Sequence, residues 1–124
     1  MTIHTLPLVG AHFRPPAKAI LQVLPGATPL LLRPEPDNAY DPNAIQVLVK
    51  TSELPEEAHD DLELHAQGYG HSLEEILAEP EWHLGYVKAT EAVWLVKQLS
   101  GDTSCKLGSL LNGNPAVIVE TSDE

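Results

Sequence analysis

Residues 45–50, IQVLVK, alternate apolar Ile45, Val47 and Val49 with Gln46, Leu48 and Lys50, the two-residue period of a strand with one buried face. They follow directly on PEPDNAYDPNA, residues 34–44, a stretch dense in Pro, Asp and Asn. Within it Asp41-Pro42-Asn43-Ala44 fits a type I turn, with an Asp acceptor first, Pro second and a permissive Asn third. A turn packed tightly against a short strand is the feature that most restricts the fold, and it recurs along the chain. Residues 3–9 form an extended candidate ended by Gly10, and residues 19–24 and 30–33 form two more around the Pro25-Gly26 turn signal. Residues 84–87 read as a short strand, and 105–111 with 116–119 flank Asn112-Gly113-Asn114, a strong hairpin signal.

Two helices fit between the strands. Ser72-Leu73-Glu74-Glu75 matches a capping box, and that helix should stop before Pro80. A second is predicted over about residues 90–99, where Ala92, Leu95, Val96 and Leu99 share a face and Gly101 closes it. The expected fold is therefore mostly β with two short helices, a small barrel or half-open sheet and not a doubly wound α/β fold. One domain spans residues 1–124, with an insertion at about 51–83 that is polar at first and then partly helical, and a short acidic tail at 120–124. There is no internal repeat.

An apolar content of 43% indicates a globular chain. Cys105 is the one cysteine, which excludes an internal disulfide and any Cys-x-x-Cys zinc site. The first residues carry no basic region followed by an apolar one, so no signal peptide is expected, and the longest apolar runs fall far short of a membrane span. A soluble, cytoplasmic protein is the expectation. The net charge of −11 argues against nucleic acid, whose binding rests largely on phosphate neutralisation. Its distribution weakens that objection. Residues 51–83 hold ten of the 18 acids and none of the seven Lys and Arg, which leaves the remainder at −1, or +2 without the tail.

Asn38 and Tyr40 precede the turn at Asp41, and a corner alone does not need an aromatic beside a carboxylate and an amide. Taken together, LVGAHFRP (8–15), LLLRPEPDNAYDPNAIQVLV (30–49) and HLGYVKATEAVWLVKQL (83–99) resemble the HIRAN domain family. The order is the same: a glycine-then-aromatic opening strand, an Asn-x-Tyr-Asp-x-Asn-Ala-Ile motif soon after an arginine, then a Gly-aromatic-basic strand leading into a helix. The resemblance covers roughly residues 6–119, apart from the acidic insertion; its central motif is fairly specific, and the other two are weak alone.

The resemblance implies an OB-like β-barrel. In characterised eukaryotic members the domain sits on DNA translocases that remodel stalled replication forks and captures the free 3′ end of single-stranded DNA. Carried over by position, Asn38 and Asp41 would meet the terminal sugar and its 3′-hydroxyl, and Tyr40 and Phe13 would pack on the terminal bases. His12 would stand at a phosphate contact, and Tyr86 with Lys88 would lie on a strand that also reaches the DNA. The chemistry is coherent: a carboxylate accepts a hydrogen bond from a free hydroxyl but repels a continuing phosphodiester, and aromatic faces stack on any base at about 1–3 kcal/mol each. The chain departs from the pattern at His12, which is at most partly charged at neutral pH, and at Ala89, Thr90 and Glu91, where a basic run would help. Low affinity for long DNA follows, and the acidic insertion is a candidate to occupy or guard the groove.

The remaining residues have plainer readings. His59, His65 and His71 share the insertion with acids but lack ligand spacing, so no metal and no cofactor is assigned and a solvated acidic loop is expected. Trp94 should pack on the barrel, Trp82 should pin the insertion to the core, Cys105 should be a small buried residue, and Arg33 should brace the Asn-Tyr-Asp loop. No nucleophile has a base beside it, so a non-enzyme is expected. The leading expectation is a module recognising single-stranded DNA 3′ ends in repair or replication. The alternative is a protein-interaction or inhibitory module whose acidic segment docks on a basic partner.

Overall fold

The computed structural model describes residues 2–11, 14–99, 103–111 and 114–121. Six strands, β1 (Thr2–Val9), β2 (Pro29–Pro34), β3 (Ile45–Lys50), β4 (Glu81–Val87), β5 (Thr103–Leu111) and β6 (Asn114–Thr121), form a closed antiparallel barrel in the order β1-β4-β3-β2-β5-β6. The fold is mostly β and OB-like, as expected. Alternation drives it: Leu6 and Leu8, Leu30 and Leu32, Ile45, Val47 and Val49, Leu84 and Val87, and Val117 and Val119 all turn into one core. Leu48, expected outward with Gln46 and Lys50, is buried as well. Leu111 pairs with Asn114, which makes β5 and β6 the expected hairpin; its Asn112-Gly113 turn lies outside the described residues.

Four α-helices, not two, are present among the described residues: α1 (Pro15–Val23), α2 (His59–Gly68), α3 (Leu73–Ala78) and α4 (Ala89–Leu95). α1 occupies residues expected to form a strand. Pro15 and Pro16 stand in its first turn, where a missing amide hydrogen costs nothing, and Ala17, Ile20 and Leu24 bury the i, i+3, i+7 face. The run AILQVL is too short for composition to separate the two periods. The helix ends at Val23; Leu24, extended before Pro25, still donates its amide to the Ile20 carbonyl at 3.1 Å.

The insertion is ordered rather than a solvated loop, and it ends at Pro80 because Glu81, Trp82 and His83 already belong to β4. After two 3₁₀ turns, Thr51–Glu53 and Glu56–Ala58, α2 lies along α1 and buries Leu62 and Ala66, while α3 buries Ile76. The Lys18 ammonium stands 5.1 Å from the Tyr69 ring centroid and ties the two segments further. The capping box forms: the Glu75 amide donates to Ser72 Oγ at 3.1 Å and the Ser72 amide to Glu75 Oε1 at 3.3 Å. Trp82 Nε1 donates to the Ile76 carbonyl at 2.7 Å, so it does pin the insertion to the barrel. α4 stops at Leu95 and passes into a 3₁₀ turn, Val96–Gln98; Gly101 lies outside the described residues. Trp94 packs against the core with its ring 4.7 Å from that of His4. Glu120 and Thr121 are not tail but the end of β6, paired with Ile3 and Thr2. No helix among the described residues is long and apolar enough to cross a membrane.

Because Leu62 and Ile76 are fully buried in the common core, Leu62→Ala or Ile76→Ala should lower stability by about 2–5 kcal/mol. Tryptophan fluorescence, reporting Trp82 and Trp94, and far-UV circular dichroism should follow one denaturant transition. Two separated transitions would mean that the insertion unfolds by itself.

Candidate functional site

β1 gives most of its length to β6 and reaches β4 only through Leu8 with Val87 and Val9 with Tyr86. At this seam Gly85 is required: a Cβ there would lie 2.5 Å from the Val9 carbonyl oxygen. Beside it β4 carries a bulge against β3, since Val47 pairs with Gly85 but Leu48 with His83. Residues three apart on a regular strand face opposite sides. The bulge instead brings the His83 and Tyr86 rings together, 4.7 Å apart and edge-on at 82°. Arg14, the residue before α1, places its guanidinium carbon 5.7 Å from the Tyr86 ring centroid.

The loop from β2 to β3 is stitched by its own side chains. Asn38 Oδ1 accepts from the Tyr40 and Asp41 amides at 2.8 and 2.9 Å, and Asp41 Oδ1 accepts from the Asn43 amide at 2.9 Å. The Ala44 amide donates to the Asp41 carbonyl at 3.1 Å, which closes the expected turn. Arg33 forms a two-pronged pair with Glu81 at 2.5 and 3.3 Å, tying β2 to the start of β4. The centre of the arrangement is Glu35. Its carboxylate accepts from Asn38 Nδ2 at 2.6 Å, from the Tyr86 hydroxyl at 3.2 and 3.3 Å, and from Gln46 Nε2.

These contacts set the charges. The hydrogen bond from Gln46, with those from Asn38 and Tyr86, holds the Glu35 carboxyl below its ordinary range against the opposing effect of partial burial. Burial, then the nearby Glu35 charge, pushes the Tyr86 phenol up, so it stays a donor. Burial, then the Arg14 charge, pushes His83 down, and its Nε2–H donates to the Gly85 carbonyl at 2.8 Å.

A cleft of about 330 Å³ opens over the seam, lined by Val9, Val87 and Ala89 together with Asn38, Tyr40, Asp41, Ala44 and Tyr86. Four of the seven residues singled out in the sequence thus share one cleft. Lys88 is exposed between two cleft-lining residues, while His12 and Phe13 lie outside the described residues. Tyr40 is 98% exposed. Tyr86 differs from a free platform: Arg14 stands over the ring, His83 packs on it and Glu35 holds its hydroxyl. None of the cleft-lining residues comes from the insertion, which therefore does not wall the cleft. Glu35, Gln46 and Arg14 escaped the sequence reading; the one signal for them was the outward phase of Gln46 in the β3 alternation.

Elsewhere Cys105 is half-buried and its thiol is pushed up to about 12 by burial, which leaves it without thiolate character at neutral pH. Among the described residues no group of three or more His, Cys, Asp or Glu side chains could hold a metal ion. Comparison with protein-family models, with curated proteins and with solved structures finds no match to the chain.

A carboxyl whose folded pKa lies below its unfolded value of 4.5 adds stability above that value and loses it as pH falls through the folded one. The stability difference between wild type and Glu35→Gln, measured by urea unfolding, should hold constant above about pH 5 and shrink on acidification. A difference that stays flat to pH 3 would mean that the Glu35 charge is not what matters.

Proposed function

We propose that the chain is a HIRAN-like module that binds single-stranded DNA at a free 3′ end, in the service of repair or replication. The observation that carries this reading is Tyr40, nearly fully exposed on a loop braced from beneath, beside the Asp41 carboxylate in an open cleft. An isolated turn gains nothing from exposing an aromatic ring. A terminal base gains a stacking face.

The hydrogen-bond inventory limits what each group can do. Asn38 spends its oxygen on two amides and one amino hydrogen on Glu35, which leaves one N–H to donate. Asp41 uses Oδ1 on the Asn43 amide and keeps Oδ2 for a ligand hydroxyl. Such a pair accepts from, and donates to, a terminal sugar, and its negative charge disfavours a phosphate in the same place. His12 and Phe13 enter this reading through the sequence resemblance alone. The reading is of binding without catalysis, and the protonated Cys105 thiol offers no nucleophile.

A rival reading, docking of a basic partner protein on the insertion, is favoured by Leu64, 68% exposed among the acids of α2. Removing the whole insertion would strip Leu62 and Ile76 from the core, so its fair test is Leu64→Ser, which should leave oligonucleotide binding unchanged if the first reading holds.

Fluorescence anisotropy at low salt, with short labelled oligonucleotides that differ only at the 3′ terminus, should give roughly tenfold tighter binding to the hydroxyl than to the phosphate. A hydrogen bond to a charged group, about 1.5–3 kcal/mol, supplies that ratio. Asp41→Asn keeps the acceptor of the turn and should abolish the preference, while Tyr40→Ala should weaken both ends by about 1–3 kcal/mol. Equal binding of the two ends by wild type would overturn the mechanism.

A further inference from the structure

We propose that Arg14, held against the Tyr86 ring at the border of the cleft, binds an internal backbone phosphate of a strand whose 3′ end lies at Asp41. The inference rests on the end-binding reading above and adds to Lys88 a second permanent positive charge beside the cleft.

Two of the other six cations are committed elsewhere, and Lys88 stands exposed between two cleft-lining residues. Arg33 is ion-paired with Glu81, and Lys18 is drawn to Tyr69 of the insertion. Among the described residues no carboxylate lies within ion-pair distance of Arg14. Its recorded side-chain contact is the Tyr86 ring at 5.7 Å, and Tyr86 itself lines the cleft with Asn38, Tyr40 and Asp41. A guanidinium drawn to an aromatic face keeps N–H donors for an outside acceptor, and its planar fork suits phosphate in a bidentate manner. The ring is not free to carry the cation about: its hydroxyl is fixed by Glu35 and its other contact is His83. His83, with Nε2–H committed to the Gly85 carbonyl and its protonation disfavoured by burial, adds no competing cation at neutral pH.

The charge pattern also has a direction. Carboxylates gather at the hydroxyl end of Tyr86 and at Asp41, where a phosphate would be repelled; the cation stands over the ring. A strand end presenting hydroxyl to Asp41 and its next phosphates to Arg14 meets attraction at both points, and a strand middle does not.

The test is a salt series with a labelled dodecathymidylate carrying a 3′-hydroxyl, on wild type, Arg14→Gln and Arg14→Lys. Loss of one phosphate contact to a single strand should reduce the slope of log K against log salt by about 0.7, and Arg14→Lys should restore it. The ratio of 3′-hydroxyl to 3′-phosphate binding should stay unchanged in both variants, because Asp41 is untouched. If Arg14 only props Tyr86 and α1, Arg14→Gln weakens binding and lowers the melting temperature with the slope intact, which overturns the inference and leaves end binding standing. If wild type binds no oligonucleotide, both fall. Should Arg14→Gln fail to fold, the slope of Arg14→Lys against wild type still decides: a slope that falls with the charge retained refutes a charge contact.

Discussion

The barrel closes through two residue pairs, Leu8 with Val87 and Val9 with Tyr86, and a strand there must pass close to the Val9 carbonyl. Glycine at 85 is what permits it, since any side chain would begin 2.5 Å from that oxygen. Without the seam β1 and β4 would be open edges, with unpaired backbone groups and a core exposed between them. The shortness of the seam has a second effect. The sheet is narrow where β1 turns from β6 to β4, and the cleft lies over that place, floored by Val9 and Val87.

The same strand carries the bulge that sets His83 and Tyr86 side by side, and Tyr86 then joins two charges and a neutral imidazole. Glu35 takes its hydroxyl, Arg14 its face, and His83 packs on it. Three donors, Asn38 Nδ2, Gln46 Nε2 and the Tyr86 hydroxyl shared between both oxygens, converge on one carboxylate, so the β2–β3 loop, β3 and β4 are joined at one point. The Arg33–Glu81 pair works in the same region but is partly exposed, where such pairs contribute about 0–1 kcal/mol. It fixes geometry more than it stabilises. The loop is therefore both things the motif suggested: an Asx-stitched turn, and a mount that leaves Tyr40 out in solvent.

The acidic insertion is part of the same body. Leu54, Leu62, Ala66 and Ile76 go into the core, and Glu56, Glu57, Asp60, Asp61 and Glu63 stay exposed. A helix can do both because apolar side chains four apart share a face while the acids between them point away. Most of the negative charge of the protein is thereby kept on a segment that contributes no residue to the cleft.

Local chemistry was readable directly. The inward phase of Ile45, Val47 and Val49, the Asp41 turn, the Ser72 capping box and the presence of the last hairpin involve residues within a few positions of each other, where side-chain period and turn stereochemistry leave little freedom. The helix at Pro15–Val23 was not readable, because a short apolar run satisfies both periods and the choice fell to packing against α2 and β4. α2 was obscured by its acids; its signal was only Leu62 and Ala66. The candidate site divides in the same way. Asn38, Tyr40 and Asp41 are set by their own loop and stand out in the sequence, whereas Glu35 meets Gln46 across 11 positions and Tyr86 across 51. Sequence alone determined the turns and the short segments that become strands, residues 19–24 excepted, since those depend on neighbours. Tertiary structure decided the closure at Gly85, the bulge and the partners of Tyr86, since those depend on segments that meet only when the barrel shuts.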